Sequence, residues 1–536
     1  MPTEPRQNGA SVLEQGAAGT SAADADAASN GQSVPAGSGE AGVGTPSRAR
    51  AFAWIATATA TGAIVMAMEL TAFRLYAPYF GNSIYVWGSM ISVVMLALAM
   101  GYSLGGWIAD HSTGDAPLYW IVFTSGVYQL AIVFASRGIM LRTFPWGYFA
   151  GTTAATLAIF VPPMTALAVT SPYVIRLLAR AGHVGVTTGR VFALSTAGSI
   201  AGVLGTSFWL VPQFGTRITL EILCVASIVI GAAGLAMRTR AAVLLALPLA
   251  LLSFAHAPAV PPTIIWSGDS VYNRILVRET DGVRFLQLND SIFSQTTEKI
   301  GSVTSGFYLD QFALGPLLVP ARNLLVLGMA AGGSIQVTRA VDPGIEVDAV
   351  EIDPKVVELA GQFFALPQND PHLHVHVADA RPWLASQDGK WDLVHVDLFQ
   401  SGPWVPFYLT TLEFFQLVRS HMADDGLLML NVLDKSDKRE LLEAMGATLK
   451  QVFPTVEELP TEKGNYILFA FAKQRELAET ADRLTENNRP DWERTLAGKA
   501  VLNLKEFAAP EGTAIFTDDK APVEEMTRRM LEAATN

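Results

Sequence analysis

Asn323-Leu-Leu-Val-Leu-Gly328-Met-Ala-Ala-Gly332-Gly333 is an apolar strand that runs into a glycine turn, and its reading decides the fold. A second strand-like run, Val347-Asp-Ala-Val-Glu351-Ile-Asp353, follows about twenty residues on. A third, Leu373 to Val377, runs into Ala378-Asp379-Ala380, and a fourth, Asp392 to Val396, ends on Asp397. This is the pattern of a nucleotide-binding parallel sheet. Glycines let the backbone approach a ligand at a helix N-terminus, and an acid closing the second strand can accept hydrogen bonds from ribose hydroxyls. Asp379 is placed to meet an adenine or a ligand amine. Gly328-x-x-x-Gly332-Gly333 is not a strict G-x-G-x-x-G, so the weight falls on four strands that end in polar residues at one edge, where open α/β sheets bind ligands.

The chain of 536 residues is long enough for two or more domains. Only 16% of it is charged, against about 25% in soluble proteins. The deficit is concentrated in residues 51–260, which hold almost no Lys, Asp or Glu. A net charge of −12 gives no footprint for nucleic acid. The single cysteine, Cys224, excludes an intrachain disulfide and a cysteine metal cluster. His372, His374 and His376 alternate before Asp379; they read as a partly exposed edge strand, and no metal is implied.

Residues 1–50 lack aromatic residues and read as a disordered tail. Residues 51–260 read as a membrane bundle of six to seven spans, near 51–76, 86–109, 117–136, 149–172, 189–211, 217–237 and 241–258. Gly101-Tyr-Ser-Leu-Gly105-Gly106 predicts close helix packing, and Pro162-Pro163 a break in the fourth span. Glu69 is costly in such a helix and needs a partner. It reads either as a polar site in the bundle or as half of a structural ion pair with Arg74. Basic residues at Arg48 and Arg50, at Arg176, Arg180 and Arg190, and at Arg238 and Arg240 share one side if every span crosses. The positive-inside rule makes that side cytoplasmic, which for seven crossings opposes a cytoplasmic C-terminal half. The expectation here is a multi-pass inner or cell membrane protein in a lipid bilayer, with its C-terminal half in the cytoplasm where the ligand is made.

After Pro261 the texture becomes that of a soluble protein. Residues 261–303 read as a small antiparallel β unit, 304–475 as the nucleotide-binding sheet ending in antiparallel strands, and 476–536 as a charged, mostly helical segment. The fold class is thus a multi-span α-helical membrane bundle joined to an α/β, methyltransferase-like (Rossmann-type) domain preceded by a small antiparallel β unit.

This order of parts, with Ser270-x-Tyr272-x-x-Ile275 in the β unit and Asp397 closing the fourth strand, resembles the spermidine synthase (polyamine aminopropyltransferase) family over about residues 265–475. The apolar half, with Gly101-Tyr-Ser-Leu-Gly-Gly-Trp-Ile-Ala-Asp110, and the loop Asp518-Asp-Lys-Ala-Pro-Val-Glu524 are similar to membrane-embedded members. The resemblance implies a small-molecule substrate: S-adenosylmethionine or its decarboxylated form as donor, with methylthioadenosine released. It also implies a homodimer through the synthase-like domain. By position it makes Asp397, Asp310, Tyr308 and Gln400 catalytic candidates. Gly328 and Gly332 would shape the turn beside the sulfonium, Glu351 would hold the ribose, and Asp379 with Ala380 would meet the adenine. Gln295, Tyr272 and Asn273 would contact the donor from the β unit.

Departures from the family pattern bear on the reaction. The family turn Gly-Gly-Gly-Asp-Gly-Gly is here Gly328-Met-Ala-Ala331-Gly332-Gly333, and its Asp-Ser-x-Asp is Asp397-Leu-Phe-Gln400. Its Tyr-His-Glu-Met is Tyr308-Leu-Asp310-Gln311, so Asp310 is a partial substitute. A diamine needs carboxylates to replace its hydration, and two are missing. Aminopropyl transfer to an amine, a lyase reaction forming homoserine lactone, methyl transfer and a non-catalytic sensor therefore all remain open at this level.

Overall fold

The computed structural model describes residues 46–80, 84–179, 183–236, 261–289, 293–367, 369–399, 402–486 and 488–535. The expected tail, apart from its last residues, the seventh span 241–258 and Gln400 lie outside the described residues.

The apolar half forms helices α1 (Arg48–Phe80), α2 (Ile84–His111), α3 (Ala116–Thr143), α4 (Tyr148–Ile159), α5 (Val161–Ala168), α6 (Thr170–Leu178), α7 (Val184–Gly205) and α8 (Val211–Ala236). By length and composition four helices could cross a membrane: Arg48–Ala77, Ile84–His111, Ala116–Trp146 and Val184–Ala236. A bent pair, Phe149–Ile159 with Val161–Leu178, makes a fifth, angled by 49° where Pro162 opens α5.

The longest of these runs has 53 residues but is not one rod. Gly215, at φ 77° and ψ 171°, leaves the helical region. Gly198 and Gly202 of α7 lie against Thr59 and Ala63 of α1, so these helices run in the same direction. Gly231 and Gly234 of α8 lie against Phe123 and Tyr119 of α3, in reverse order. Since Trp54 donates to Asp115 (3.0 Å), α1 and α3 start at the same end of the bundle. The chain therefore goes out along α7 and returns along α8 as two antiparallel helices. Gly101 and Gly105 meet the backbone of the α5–α6 segment as the motif predicts, while Gly106 faces open space.

The C-terminal half holds two sheets. Strands β1 (Ile264–Asp269), β2 (Arg274–Thr280), β3 (Val283–Leu288) and β4 (Thr296–Lys299) form an antiparallel meander. Within the expected β unit, Ser270–Asn273 is the turn between β1 and β2, because Ser270 Oγ accepts from Tyr272 N (3.1 Å) and Asn273 N (2.8 Å). Eight strands form the second sheet: β5 (Asn323–Leu327), β6 (Glu346–Glu351), β7 (Leu373–Val377), β8 (Trp391–Val396), β9 (Met422–Leu433), β10 (Thr455–Pro460), β11 (Asn465–Phe471) and β12 (Lys505–Glu506). Their order is β12-β10-β11-β9-β8-β5-β6-β7. The pairs from β9 to β7 are parallel and those from β12 to β9 antiparallel. Every β5 residue from Leu324 to Leu327 is fully buried, as a strand covered on both faces requires. Parallel register sets Leu327 beside Val350 and Val396, which brings Gly328, Glu351 and Asp397 to one level at one edge.

On the outer edge, β7, His372 bonds Glu346 and His376 bonds Asp348 (2.9 Å). No group of three or more metal-ligating side chains occurs among the described residues.

Candidate active site

The glycine turn after β5 alternates left-handed residues: Gly328 at φ 85°, Ala330 at 48° and Gly332 at 82°. A Cβ on Gly328 would collide with the Asp397 carbonyl, so the close approach of β5 and β8 requires glycine there. Gly332 caps helix α9 (Gly333–Val341). Glu351 braces the turn, one carboxylate oxygen accepting from Ala330 N (2.9 Å) and the other from Asp353 N (3.1 Å). Each oxygen keeps a lone pair for a further donor. Burial pushes the Glu351 carboxyl up to about 7 against those two hydrogen bonds.

Asp397 stands at the centre of the edge. Tyr308 OH donates to it at 3.0 Å and Asn431 Nδ2 at 2.9 Å. Burial raises its carboxyl to about 6, while both donors hold it lower than burial alone would. The Tyr308 hydroxyl is pushed well above its usual range by burial and by the Asp397 charge. Asn431 Oδ1 is buried with no partner among the described residues, an acceptor aimed beside the carboxylate. Sequence reading missed Asn431. Its signal was a single polar residue within the apolar run Leu427–Leu433.

Asp379 caps helix α11 (Ala380–Ala385; α10 is Pro354–Phe363), accepting from Arg381 N (3.2 Å) and from Tyr408 OH (3.0 Å). Ala380 is buried beside it. Arg381 makes a two-pronged bond to Asp518 (2.8 and 2.6 Å), and Thr411 Oγ1 donates to the same carboxylate (2.7 Å). The Asp518 loop thus holds α11 against the third strand's end. Gln295 is buried just before β4, whose Thr296 Oγ1 accepts from Ala331 N (3.0 Å).

Three expectations need correcting. Asp310 does not join Asp397: its carboxylate accepts from Ser305 N, Ser305 Oγ and Gly306 N, each at 2.8 Å, and it braces that loop. Asn273 commits its amide to Asp353 (3.4 Å) and Asn289 (2.9 Å) and supports the β1–β2 turn from within. Tyr272 is 47% exposed on that turn and lines none of the described cavities.

The same turn is joined to the bundle. Arg74 of α1 donates to Ser270 O (2.8 Å) and to Val271 O. Ser270 Oγ in turn donates to the fully buried Asp353, which caps α10 two residues after Glu351. Arg74 is therefore not the partner of Glu69, which has no ion-pair or hydrogen-bond partner among the described residues.

Residues 316–481 match the family model described as spermine/spermidine synthase domain. Over this segment the chain is similar to a spermine/spermidine synthase domain. The chain is similar to a probable polyamine aminopropyl transferase of Bifidobacterium longum, with 28% identity over 278 residues, 49% of this chain and 61% of that protein. It thus spans less than two thirds of that relative's length. It is also similar to the polyamine aminopropyltransferase of Vibrio vulnificus, 27% identical over 243 residues, 42% of this chain and 80% of that one. Among solved structures, a probable spermidine synthase from Corynebacterium glutamicum aligns with 49% of this chain and 97% of its own, at 19% identity and a TM-score of 0.37.

Proposed function

We propose that the synthase domain transfers an aminopropyl group from decarboxylated S-adenosylmethionine to an amine and releases methylthioadenosine. The observation that carries the reading is the Asp397 carboxylate, held between Tyr308 and Asn431 at the edge shared with the glycine turn and Glu351.

Gly328, Glu351 and Asp379 would hold the nucleoside. The positive sulfonium makes the neighbouring carbon electrophilic, so the chain must chiefly align a nucleophile in line with the carbon–sulfur bond. An alkyl ammonium titrates near 10 and is inert while protonated. Asp397, with its carboxyl near 6, is ionised at neutral pH and can take that proton, freeing the nitrogen lone pair before it bonds to carbon. The unpartnered Asn431 Oδ1 supplies an acceptor for a second N–H.

The apolar half is proposed to be a bilayer-spanning bundle with six passes in the described residues. The synthase half sits at one end of it: Arg74 near the end of α1 and Thr216 at the start of α8 contact the β1–β2 region. Arg48, at the other end of α1, would lie on the opposite membrane face. We place the synthase half in the cytoplasm, where the donor is made. Arg74, Arg137, Arg142 and Arg217 then lie on the cytoplasmic side, and Arg48, Arg50, Arg176 and Arg190 face away, against the usual bias.

The test uses the full chain in detergent with decarboxylated or intact S-adenosylmethionine, with and without an amine. Methylthioadenosine that requires both the decarboxylated donor and an amine is expected. Donor binding without any methylthioadenosine would make the domain a sensor, and methylthioadenosine with homoserine lactone from the intact donor alone would make it a lyase. For topology, reporters fused to the two chain ends and a single cysteine at Arg48 are compared for labelling in intact cells. Labelling of Arg48→Cys on the same face as the synthase half would refute the placement of that half at the Arg74 end of α1.

A further inference from the structure

A cavity of about 600 Å³ opens between the β2–β3 hairpin and the ends of β9 and β11. Tyr308 forms part of its wall, and Tyr308 OH bonds Asp397, so the cavity adjoins the proposed reacting centre. Its volume falls within the range of small-molecule sites, roughly 300–1,000 Å³, and well above the needs of a short diamine. Three cations line it: Arg278 from β2, Lys435 just after β9, and Lys463 in the turn before β11. Asp281, in the exposed hairpin turn, is the one acid among the lining residues.

None of the three cations has a carboxylate within ion-pair distance among the described residues. Lys435 Nζ lies 4.9 Å from the centre of the Phe293 ring and Lys463 Nζ 4.2 Å from that of Phe307. Aromatic faces hold both cations at the cavity wall without neutralising them. Arg278 Nε is buried and has no hydrogen-bond partner among the described residues, a donor open to an acceptor from a ligand. A second ammonium entering here would meet like charges, where a diamine site needs carboxylates.

We propose that the acceptor is an amine that also carries an anionic group, its amine at Asp397 and its anion among Arg278, Lys435 and Lys463. This rests on the transferase reading above and names its substrate class. Phe285, Phe293 and Phe307 on the same walls fit an apolar or aromatic body between the two ends. In the reaction the amine nitrogen bonds to the donor's methylene carbon as the carbon–sulfur bond breaks, its electron pair going to sulfur. The proton leaves the nitrogen to Asp397 and passes to solvent, and the anionic group is unchanged.

The test compares acceptors of one shape and opposite charge: 4-(aminomethyl)benzoate against 1,4-bis(aminomethyl)benzene, and 4-aminobutanoate against putrescine, with 3-aminopropyl phosphate as the phosphate arm. The full chain is given decarboxylated S-adenosylmethionine, and methylthioadenosine and alkylated amine are quantified. The anionic amines should win by about tenfold or more in kcat/KM. The paired variant Lys435→Glu/Lys463→Glu should erase or reverse that preference, with donor binding by calorimetry showing that the site remains folded. Lys435→Gln/Lys463→Gln should reduce it by about threefold to tenfold. A better carboxylate than phosphate arm, or the reverse, assigns the anion. Preferred use of the diamines would overturn the proposal while upholding the transferase. No methylthioadenosine with any acceptor, despite donor binding, would overturn the transferase reading and this proposal with it.

Discussion

The bundle and the sheet domain are both rich in apolar residues and use them in opposite directions. In the sheet, Leu324 to Leu327 are wholly enclosed, and polar side chains collect where the strands stop. In the bundle, Trp107, Phe149 and Phe208 are 62%, 68% and 76% exposed, while glycines fill the helix contacts. Large side chains are driven inward where water is the solvent and can face outward where lipid is. That contrast supports a bilayer around the bundle. Polar groups follow suit. Asp397 has two donors and a proposed chemical task, whereas Glu69 has no partner among the described residues.

The largest effect that would sharpen this contrast is at Asp397. Asp397→Asn should lower methylthioadenosine release by about 10²–10⁴-fold, the usual span for a general base, with donor affinity unchanged by calorimetry. Full activity in that variant would make the sheet edge a binding site only. On the bundle side, Gly198→Leu should abolish a folded, monodisperse detergent extract, because even a Cβ there collides with the backbone of Thr59. Gly106→Leu, which points into open space, should leave extraction and activity as they are. Equal behaviour of the two would break the account of where bundle packing is tight.

At the joint between the regions, Arg74→Ala removes two charge-assisted bonds to the β1–β2 turn. These are worth roughly 1.5–3 kcal/mol each in favourable cases. We expect a lower melting temperature for the synthase half and weaker donor binding, since Ser270 and Asp353 transmit the turn's position to Glu351. An unchanged donor affinity would mean that the halves are joined without coupling.

The smallest effect is in pH. Asp397 and Glu351 have folded-state pKa values of about 6 and about 7, above their ordinary ones near 4. The folded state holds these protons more tightly than the unfolded chain does. Their contribution to stability is fully present below about pH 4, falls as pH rises above that, and is lost once pH has passed through 6 and 7. Activity has the opposite slope, rising as Asp397 ionises near 6. Denaturation and rate profiles measured on the same preparation should therefore diverge between about pH 4 and 7, a window set by the unfolded and folded values. Asp397→Asn should flatten the lower part of both.

Much of this was legible in the linear chain because its signals are local. Strand–glycine–helix spacing, acids at strand ends and long uncharged runs each depend on neighbours in sequence. They specify the parallel sheet, the antiparallel finish at β9–β11, the break at Pro162 and the positions of Gly328, Glu351, Asp379 and Asp397. Tertiary structure alone decided what each acid meets. Asp310 and Asp397 are both acids after an apolar or aromatic residue, yet one is saturated by its own loop and the other is held by groups 89 and 34 residues away. Arg74 reaches a turn 196 residues on instead of the carboxylate five before it. The cationic cavity gathers Arg278, Lys435 and Lys463 from three segments with no common motif. A hydrogen bond or a charge field depends on distance in space, and sequence separation sets that distance only within a turn or a single element.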